Sequence, residues 1–313
     1  MDRDLKLAGR VFYEEKGKIL SKLFETETAV ATIPSIAPHF DRTAGTKPHI
    51  NLEENFIPIL ATNDRQVPTE REQSELLLEI IARTAQIDPK AIVDFEASFI
   101  DSRPSQAYGV DKSLISSARL SSVGTTYAAL KAFLGSEQPT NGFTMFAIFD
   151  SHAIGSNNRV GHKSNFIQVT LERMGVPEYT VARSLLVGIS GLHAFNASYP
   201  ALYEGNNKAE IGGGLYYAST SRMAIPTGVT SLLPLQIAAR EAGISLSSYV
   251  PPIDRYMMPT GDSVLSYKMN IVAAEIGIPV LSIGSVRETM AVSDLNALDL
   301  FIPKLSETFL RQQ

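Results

Sequence analysis

The sequence predicts an α/β layered domain preceded by a β-rich one. Three observations carry that expectation. From about residue 113, strand-like and helix-like segments alternate along the chain, the pattern of a sheet covered by helices. The run "GFTMFAIFD" (142–150) is apolar almost without interruption, as a strand buried on both faces would be. Ahead of residue 113 lie short strand-like runs broken by Gly and Pro. The expected division is therefore 1–112, β-rich, and 113–313, α/β.

In order along the chain, "RVFYEEKGKILSKLF" reads as two short strands around Glu15-Lys16-Gly17-Lys18, where Gly17 supplies the positive φ of a hairpin turn. "TAVATIPSIAPHF" is broken by Pro34 and Pro38 and fits an edge strand or a looped crossing. "NLEENFIPIL" reads as a further strand. In "PTEREQSELLLEIIARTAQ" a capping box of Thr69 and Glu72 opens a helix that places Leu76, Leu77, Ile80, Ile81 and Ile87 near one face. Val93, Phe95, Ala97 and Phe99 alternate with polar residues, as in a half-buried strand. After 113, "TTYAALKAFLG", "KSNFIQVTLERMG" (ended by Gly175) and "TSLLPLQIAAREAG" read as helices, and "SLLVGIS", "ISLSSYV" and "PVLSIGS" as strands. "DSVLSYKMNIVAAEIG" reads as one helix with Asp262 as N-cap, and "SDLNALDLFIPKLSETFL" as a last helix bent or broken by Pro303. Function is expected in the loops at the strands' carboxyl ends.

Composition narrows the function. The 313 residues are 44% hydrophobic and 19% charged, ordinary for a globular protein. A net charge of −5 argues against duplex nucleic acid as a partner. No apolar run reaches the roughly 18 residues of a membrane span, and the opening "MDRDLKLAGR" lacks the apolar core of a signal peptide. A cytoplasmic protein is the expectation. Cysteine is absent, which removes disulfides, thiolate metal sites and a Cys nucleophile.

A series of motifs then falls in one order. "DRDLKLAGRV", "IPSIAPHFDR", "NLEENFIPIL", "SSARLSS", "FDSHAIGS", "HKSNFIQVTLERM", "AEIGGG" and "PVLSIGSVRE" together resemble the aspartyl aminopeptidase family, which includes vacuolar aminopeptidase I. The likeness runs over essentially the whole chain. It implies a three-layer zinc-exopeptidase-like α/β domain with an inserted β-rich dimerisation domain, two zinc ions, and assembly as large as a dodecamer. Because the chain starts at the Asp-Arg-Asp-Leu motif, the resemblance also implies that roughly a hundred upstream family residues, with one His ligand, are missing. The α/β domain would then be incomplete at its N-terminus, with sheet edges left open unless a partner covers them.

The resemblance gives each position its family role, and the residues here differ from those the role needs. A two-metal peptidase holds its cations with carboxylates and imidazoles, and a carboxylate takes the proton of the attacking water. Ser121 stands at the bridging Asp. In the Glu-Glu pair of Phe-Asp-x-Glu-Glu-x-Gly-Ser, His152 stands at the general base and Ala153 at the ligand. Leu192 stands at the Asp of the next loop, and Gly284 at the His of Met-His-Ser. Ala and Gly have no donor atoms, and Leu adds apolar surface where cations need charge. The expectation on these residues is a protein with no zinc cofactor and no conventional metallopeptidase activity.

Other candidates stay open between function and packing. His39 matches the family histidine that reaches a neighbouring subunit's active site, or it is a loop residue. His152 is a competent base near neutral pH, or a solvated loop histidine. His193 with His152 would make a poor metal pair without a carboxylate. Asp262 reads as an N-cap or as a neighbour of the family's substrate loop, Arg222 could bind a carboxylate, and "IGGG" reads as a tight turn more than a phosphate cradle. Three functions follow. The first is a degenerate, non-catalytic subunit or scaffold, forming a homo-oligomer (dimer or larger) or a hetero-oligomer with a paralogue. The second is a repurposed metal-independent enzyme using His152, with His39 from a neighbour, on an amino-acid or peptide-like ligand. The third, and the weakest, is a zinc aminopeptidase completed by another chain.

Overall fold

The structure, a computed structural model, describes residues 1–40, 50–62, 70–137, 139, 142–152, 154–252 and 260–311. The chain divides into two compact units, Met1–Pro104 and Ser105–Gln313. Residues 105–112, grouped with the first part on sequence grounds, fall in the second unit.

In the first unit β1 (Leu5–Glu15) is flanked by β2 (Lys18–Glu25) and β3 (Ile92–Asp101), both antiparallel to it. Glu15 pairs with Lys18, so Lys16 and Gly17 alone make the turn, and both have positive φ, 53° and 74°. That is the two-residue hairpin whose twist matches its strands. At Gly9 a Cβ would overlap the Glu96 carbonyl oxygen, so β1 and β3 approach closely only because the side chain is absent. The expected strand at 51–60 is instead a short helix, α1 (Leu52–Asn55), because the Asn51 side chain accepts the Glu53 N–H and starts a helical turn. "TAVATIPSIAPHF" crosses as a loop, bridged to β1 where Ala31 meets Leu5 and to Ile59, outside the sheet, at Thr32. Helix α2 (Glu70–Ala85) seats Ile80, Ile81 and Ala85 among Leu7, Val11 and Phe24. The capping box of Thr69 and Glu72 lies outside the described residues, as do His49 and Ala153.

The second unit has strands β4 (Gln106–Tyr108), β5 (Leu114–Ser117), β6 (Leu185–His193), β7 (Leu215–Ala218), β8 (Leu246–Tyr249), β9 (Val272–Val280) and β10 (Glu288–Ala291). Its helices are α3 (Thr125–Leu134), α4 (Phe166–Arg173), α5 (Glu178–Ala182), α6 (Val229–Ala242), α7 (Gly261–Met269) and α8 (Val292–Arg311). The main sheet has the order β6-β9-β7-β8, with β6 parallel to β9, β7 parallel to β8, and β7 antiparallel to β9. A small antiparallel sheet, β10-β5-β4, stands beside it.

Central β9 is buried along nearly its whole length. Ala274, Ile276 and Ile278 join Ala129 of α3, Leu235 of α6 and Phe301 of α8 in the largest core cluster. Full burial of a side chain such as Leu235 contributes about 1.5–3 kcal/mol. On the other face, Ile167 and Leu171 of α4 and Leu265 of α7 pack with Leu186 of β6. Helices therefore cover both faces of one sheet, the α/β layering the alternation of segments predicts.

Several expected elements of the second unit differ. Residues 143–149, expected as a buried strand, belong to no strand among the described residues and are at most half-buried. The run 262–277 is not one helix. Asn270 takes the left-handed conformation (φ 50°) and ends α7, and the apolar run after it is β9. The N-cap is Thr260, whose side chain accepts the Ser263 N–H, and not Asp262. "PVLSIGS" is no separate strand, since β9 ends at Val280 and turns follow. Pro303 lies inside an unbroken α8, where buried Phe301, Ile302 and Thr308 hold the helix in place across the missing amide. Among the described residues no helix is long and apolar enough to cross a membrane.

Candidate functional site

A cavity of about 640 Å³ opens in the second unit between β6, the segment 142–149, and parts of α3, α4, α7 and α8. Part of its wall is polar, formed by Ser121, Ser122, His152, His162, Ser190 and Asp262. The rest is largely apolar, with Phe133, Phe146, Phe149, Leu171 and Ile302 among its residues.

The polar wall is built around a buried pair. His162 Nε2 lies 3.1 Å from Asp262 Oδ1, with both side chains almost fully buried. Two glycines make room for it. A Cβ at Gly261 would overlap the His162 ring, and one at Gly188 would overlap the Asp262 carboxylate. The His162 ring lies between two others, with Phe149 at 4.8 Å and His152 at 5.0 Å between centroids. Burial first, and then the neighbouring His162, hold the His152 pKa below the usual histidine value, while Asp262 opposes the shift. His152 is therefore uncharged at neutral pH, its base-competent form.

Behind Asp262, on β9, is Glu275, 6% exposed. Burial, and then the Asp262 charge, push its pKa up to about 8 against a lowering hydrogen bond with Thr260. Its Oε2 has no hydrogen-bond partner among the described residues, while its backbone N–H donates to Thr227 Oγ1. At neutral pH Glu275 holds its proton, so the two adjacent carboxyls do not both carry charge.

Ser121 is the second residue of the wide turn Leu120–Gly124 that leads into α3. Its N–H donates to Glu288 Oε2 at 2.6 Å and its Oγ to Glu288 Oε1 at 3.0 Å. The Gly284 N–H donates to the same Oε1 at 2.8 Å. Glu288 is 2% exposed, so one internal carboxylate ties together two of the positions to which the resemblance gives metal ligands. Leu192 is 6% exposed and packs with Ala209, Tyr216, Ala218, Ile225 and Tyr249.

Of the residues singled out from sequence, Ser121, His152 and Asp262 meet at this cavity, whereas Leu192, His193, Arg222 and Gly284 are not on its wall. His193 ends β6 opposite Val280, its pKa lowered by burial. Arg222 lies in an exposed turn, its N–H on Thr220 Oγ1. His39 lies in an exposed turn of the first unit. The "IGGG" loop is an internal anion nest, since the N–H groups of Gly212 and Gly214 both donate to Asp294 at the start of α8. Sequence reasoning missed three site residues: His162, Glu275 and Glu288. The one available signal was charge inside apolar runs, as in "VAAEIGIPV", where a lone Glu in a strand demands a partner.

A family model described as "Aminopeptidase I zinc metalloprotease (M18)" matches residues 1–302. The chain is 28% identical over 302 residues to a probable M18 family aminopeptidase 2 of Ectopseudomonas mendocina, covering 95% of this chain and 69% of that protein. Among solved structures, it is similar to a chain of the Ape4 and Nbr1 complex, with TM-score 0.90 and 24% identity over 100% of this chain. It spans 64% of the length of that chain. It is also similar to mApe1 of S. cerevisiae, solved as a dodecamer, with TM-score 0.78 and 20% identity over 100% of this chain and 72% of that one. The match to a zinc metalloprotease family overturns the expectation, drawn from the substituted positions, that no cofactor belongs here. Zinc is the metal the family brings. Among the described residues no three His, Asp or Glu side chains converge as metal ligands would, so no ligand role is assigned to them.

Proposed function

Because the chain belongs to the M18 aminopeptidase I family, we propose that it acts as an oligomeric, non-hydrolytic subunit whose pocket takes an amino-acid or peptide-like ligand. The observation that supports this reading is the knot around Glu288. The matched positions Ser121 and Gly284 are committed to one buried carboxylate, which accepts three donors and has little capacity left for a reacting group. Leu192 is equally committed, to core packing. The dodecamer of the S. cerevisiae relative supports assembly with copies of itself, and in this reading residues 1–112 are the dimerisation part and a paralogue is the other candidate partner. A reducing, cytoplasmic compartment agrees with the absence of cysteine.

Peptides beginning with Asp or Glu, incubated with the protein in zinc-supplemented buffer, are expected to release no amino acid. Release of the N-terminal residue would overturn the reading and favour a completed zinc aminopeptidase. Light scattering is expected to give a mass of at least two chains.

A second reading has its own support in the stacking of neutral His152 on the His162–Asp262 pair. There His152 is the acid/base of a repurposed site. Under the first reading His152→Ala changes ligand affinity alone. Under the second it removes a turnover that the unaltered protein shows, by about 10²-fold or more. Product formation by the two proteins on a panel of amino-acid amides separates them.

A further inference from the structure

The loop 154–165 is folded mainly on itself. The Asn158 N–H donates to the Gly155 carbonyl, Gly161 to Asn158 and Lys163 to Ser156, while His162 closes the base on Ser151. Two side-chain ties run from this loop to opposite ends of α7. At the exposed end, Lys268 Nζ donates to the Lys163 carbonyl at 2.6 Å and to Asn165 Oδ1 at 3.1 Å. The His162–Asp262 pair is the buried tie, in the first turn. That tie sits among incompletely paired groups, since His162 Nδ1 and Glu275 Oε2 are both buried without a hydrogen-bond partner among the described residues. Such groups make a segment cheap to open.

Glu275 lies beside the buried tie. Gly188 and Glu275 are partners across β6 and β9, so they face the same layer. The Asp262 carboxylate fills the place of the side chain that Gly188 lacks, which sets it next to Glu275. Strands β6 and β7 flank Glu275 within the sheet, and the start of α7 covers it, with Thr260 hydrogen-bonded to its side chain. The titratable groups around it are Asp262 on α7, Tyr249 on β8 and, past Asp262, His162 and His152, with Lys163 acting on His152. His162 is already bonded to Asp262, and one imidazolium cannot balance two carboxylates.

We propose that the loop 154–165 is a pH-operated flap, held against α7 by the His162–Asp262 pair while Glu275 is neutral and freed when Glu275 carries charge. A charged Glu275 must reach water. Strands close it in on either side, so the route is the lifting of the first turn of α7, which carries Asp262 away from His162. Release also unstacks His162 from His152 and Phe149, so the polar wall of the cavity is ordered in acid and loosened in alkali. The closed flap keeps the Glu275 proton up to about pH 8, whereas an open one loses it near the ordinary value of 4.5. The open fraction therefore rises about tenfold per pH unit between those limits and is level above them.

Hydrogen–deuterium exchange read by mass spectrometry, corrected for the intrinsic pH dependence of amide exchange, measures this opening from about pH 6 to about pH 9. The reporters are peptides that span the His162 and Lys163 amides and the Thr260 amide, which donates to the Ala224 carbonyl. Protection of both is expected to fall about tenfold per unit up to about pH 8 and then to level. The α6 peptide around buried Leu235 and Ala238 is expected to stay at least about tenfold better protected. In Glu275→Gln the fall is expected to disappear, with the flap shut at every pH. Equal protection of the loop and α6 would show global unfolding and overturn the proposal. So would loop protection that does not change with pH, as when His162 takes up a proton in compensation, or a Glu275→Gln protein that keeps the fall. The profile of the unaltered protein tests the proposal even where the variant does not fold. None of these outcomes bears on whether the protein hydrolyses peptides, so this proposal and the functional one fail separately.

Discussion

Glu288→Ala is expected to destabilise the second unit by about 3 kcal/mol, because it strips the acceptor from three donors at once. Those donors are the Ser121 N–H, the Ser121 hydroxyl and the Gly284 N–H. Each buried donor left unpaired costs about 1–3 kcal/mol, and water entering beside Ser121, which borders the cavity, offsets part of the total. Glu288→Gln keeps one carbonyl oxygen and is expected to lose less than half as much. Urea unfolding followed by circular dichroism measures both. A midpoint for Glu288→Ala within error of the unaltered protein would show that the knot contributes nothing to folding.

Glu275→Gln is expected to stabilise the protein at neutral and alkaline pH and to change little near pH 4.5. The carboxyl has a pKa of about 8 when folded against 4.5 as its ordinary value, so the folded state binds the extra proton between those limits. Stability therefore falls as pH rises through that window, by about 1.4 kcal/mol per unit, and reaches a loss of about 3 kcal/mol by pH 7. Above about pH 8 the loss is complete and adds no further slope. Glutamine cannot ionise, so the variant loses this slope while its neighbours Asp262 and His162 stay in place. Calorimetric melting from pH 5 to pH 9 should show two curves that meet at the acid end and separate towards pH 8. Parallel curves would mean that Glu275 is ionised and solvated in the folded protein.

Much of the fold was legible because it depends on local signals. The hairpin at Lys16-Gly17, the periodic faces of α2 and α6, and the glycines that end helices are written in a few adjacent residues. The failures share a cause. "NIVAAEIG" and "GFTMFAIFD" are short apolar runs, and composition alone does not separate a buried strand from a buried helix, or a strand from a stretch that finds no ladder. For the first, the deciding residue was Asn270, whose left-handed backbone ends α7; for the second, it was that no strand among the described residues pairs with it. The site was legible only through resemblance. Ser121, His152 and Asp262 were found because they occupy matched positions or loops. His162 and Glu288 act through partners 100 and 167 residues away, which no spacing rule reports.

The carboxylate of Asp294 in the "IGGG" nest also bears on how the chain is made. Gly212 and Gly214 leave the ribosome before residue 294 has been translated, and synthesis proceeds at about 5–20 residues per second. For several seconds the nest has its donors but no anion, and α8 does not yet exist to lie across the sheet. The loop then sets in one step with the docking of the final helix, so a ribosome stalled before residue 294 would carry a second unit with this corner still open to proteases.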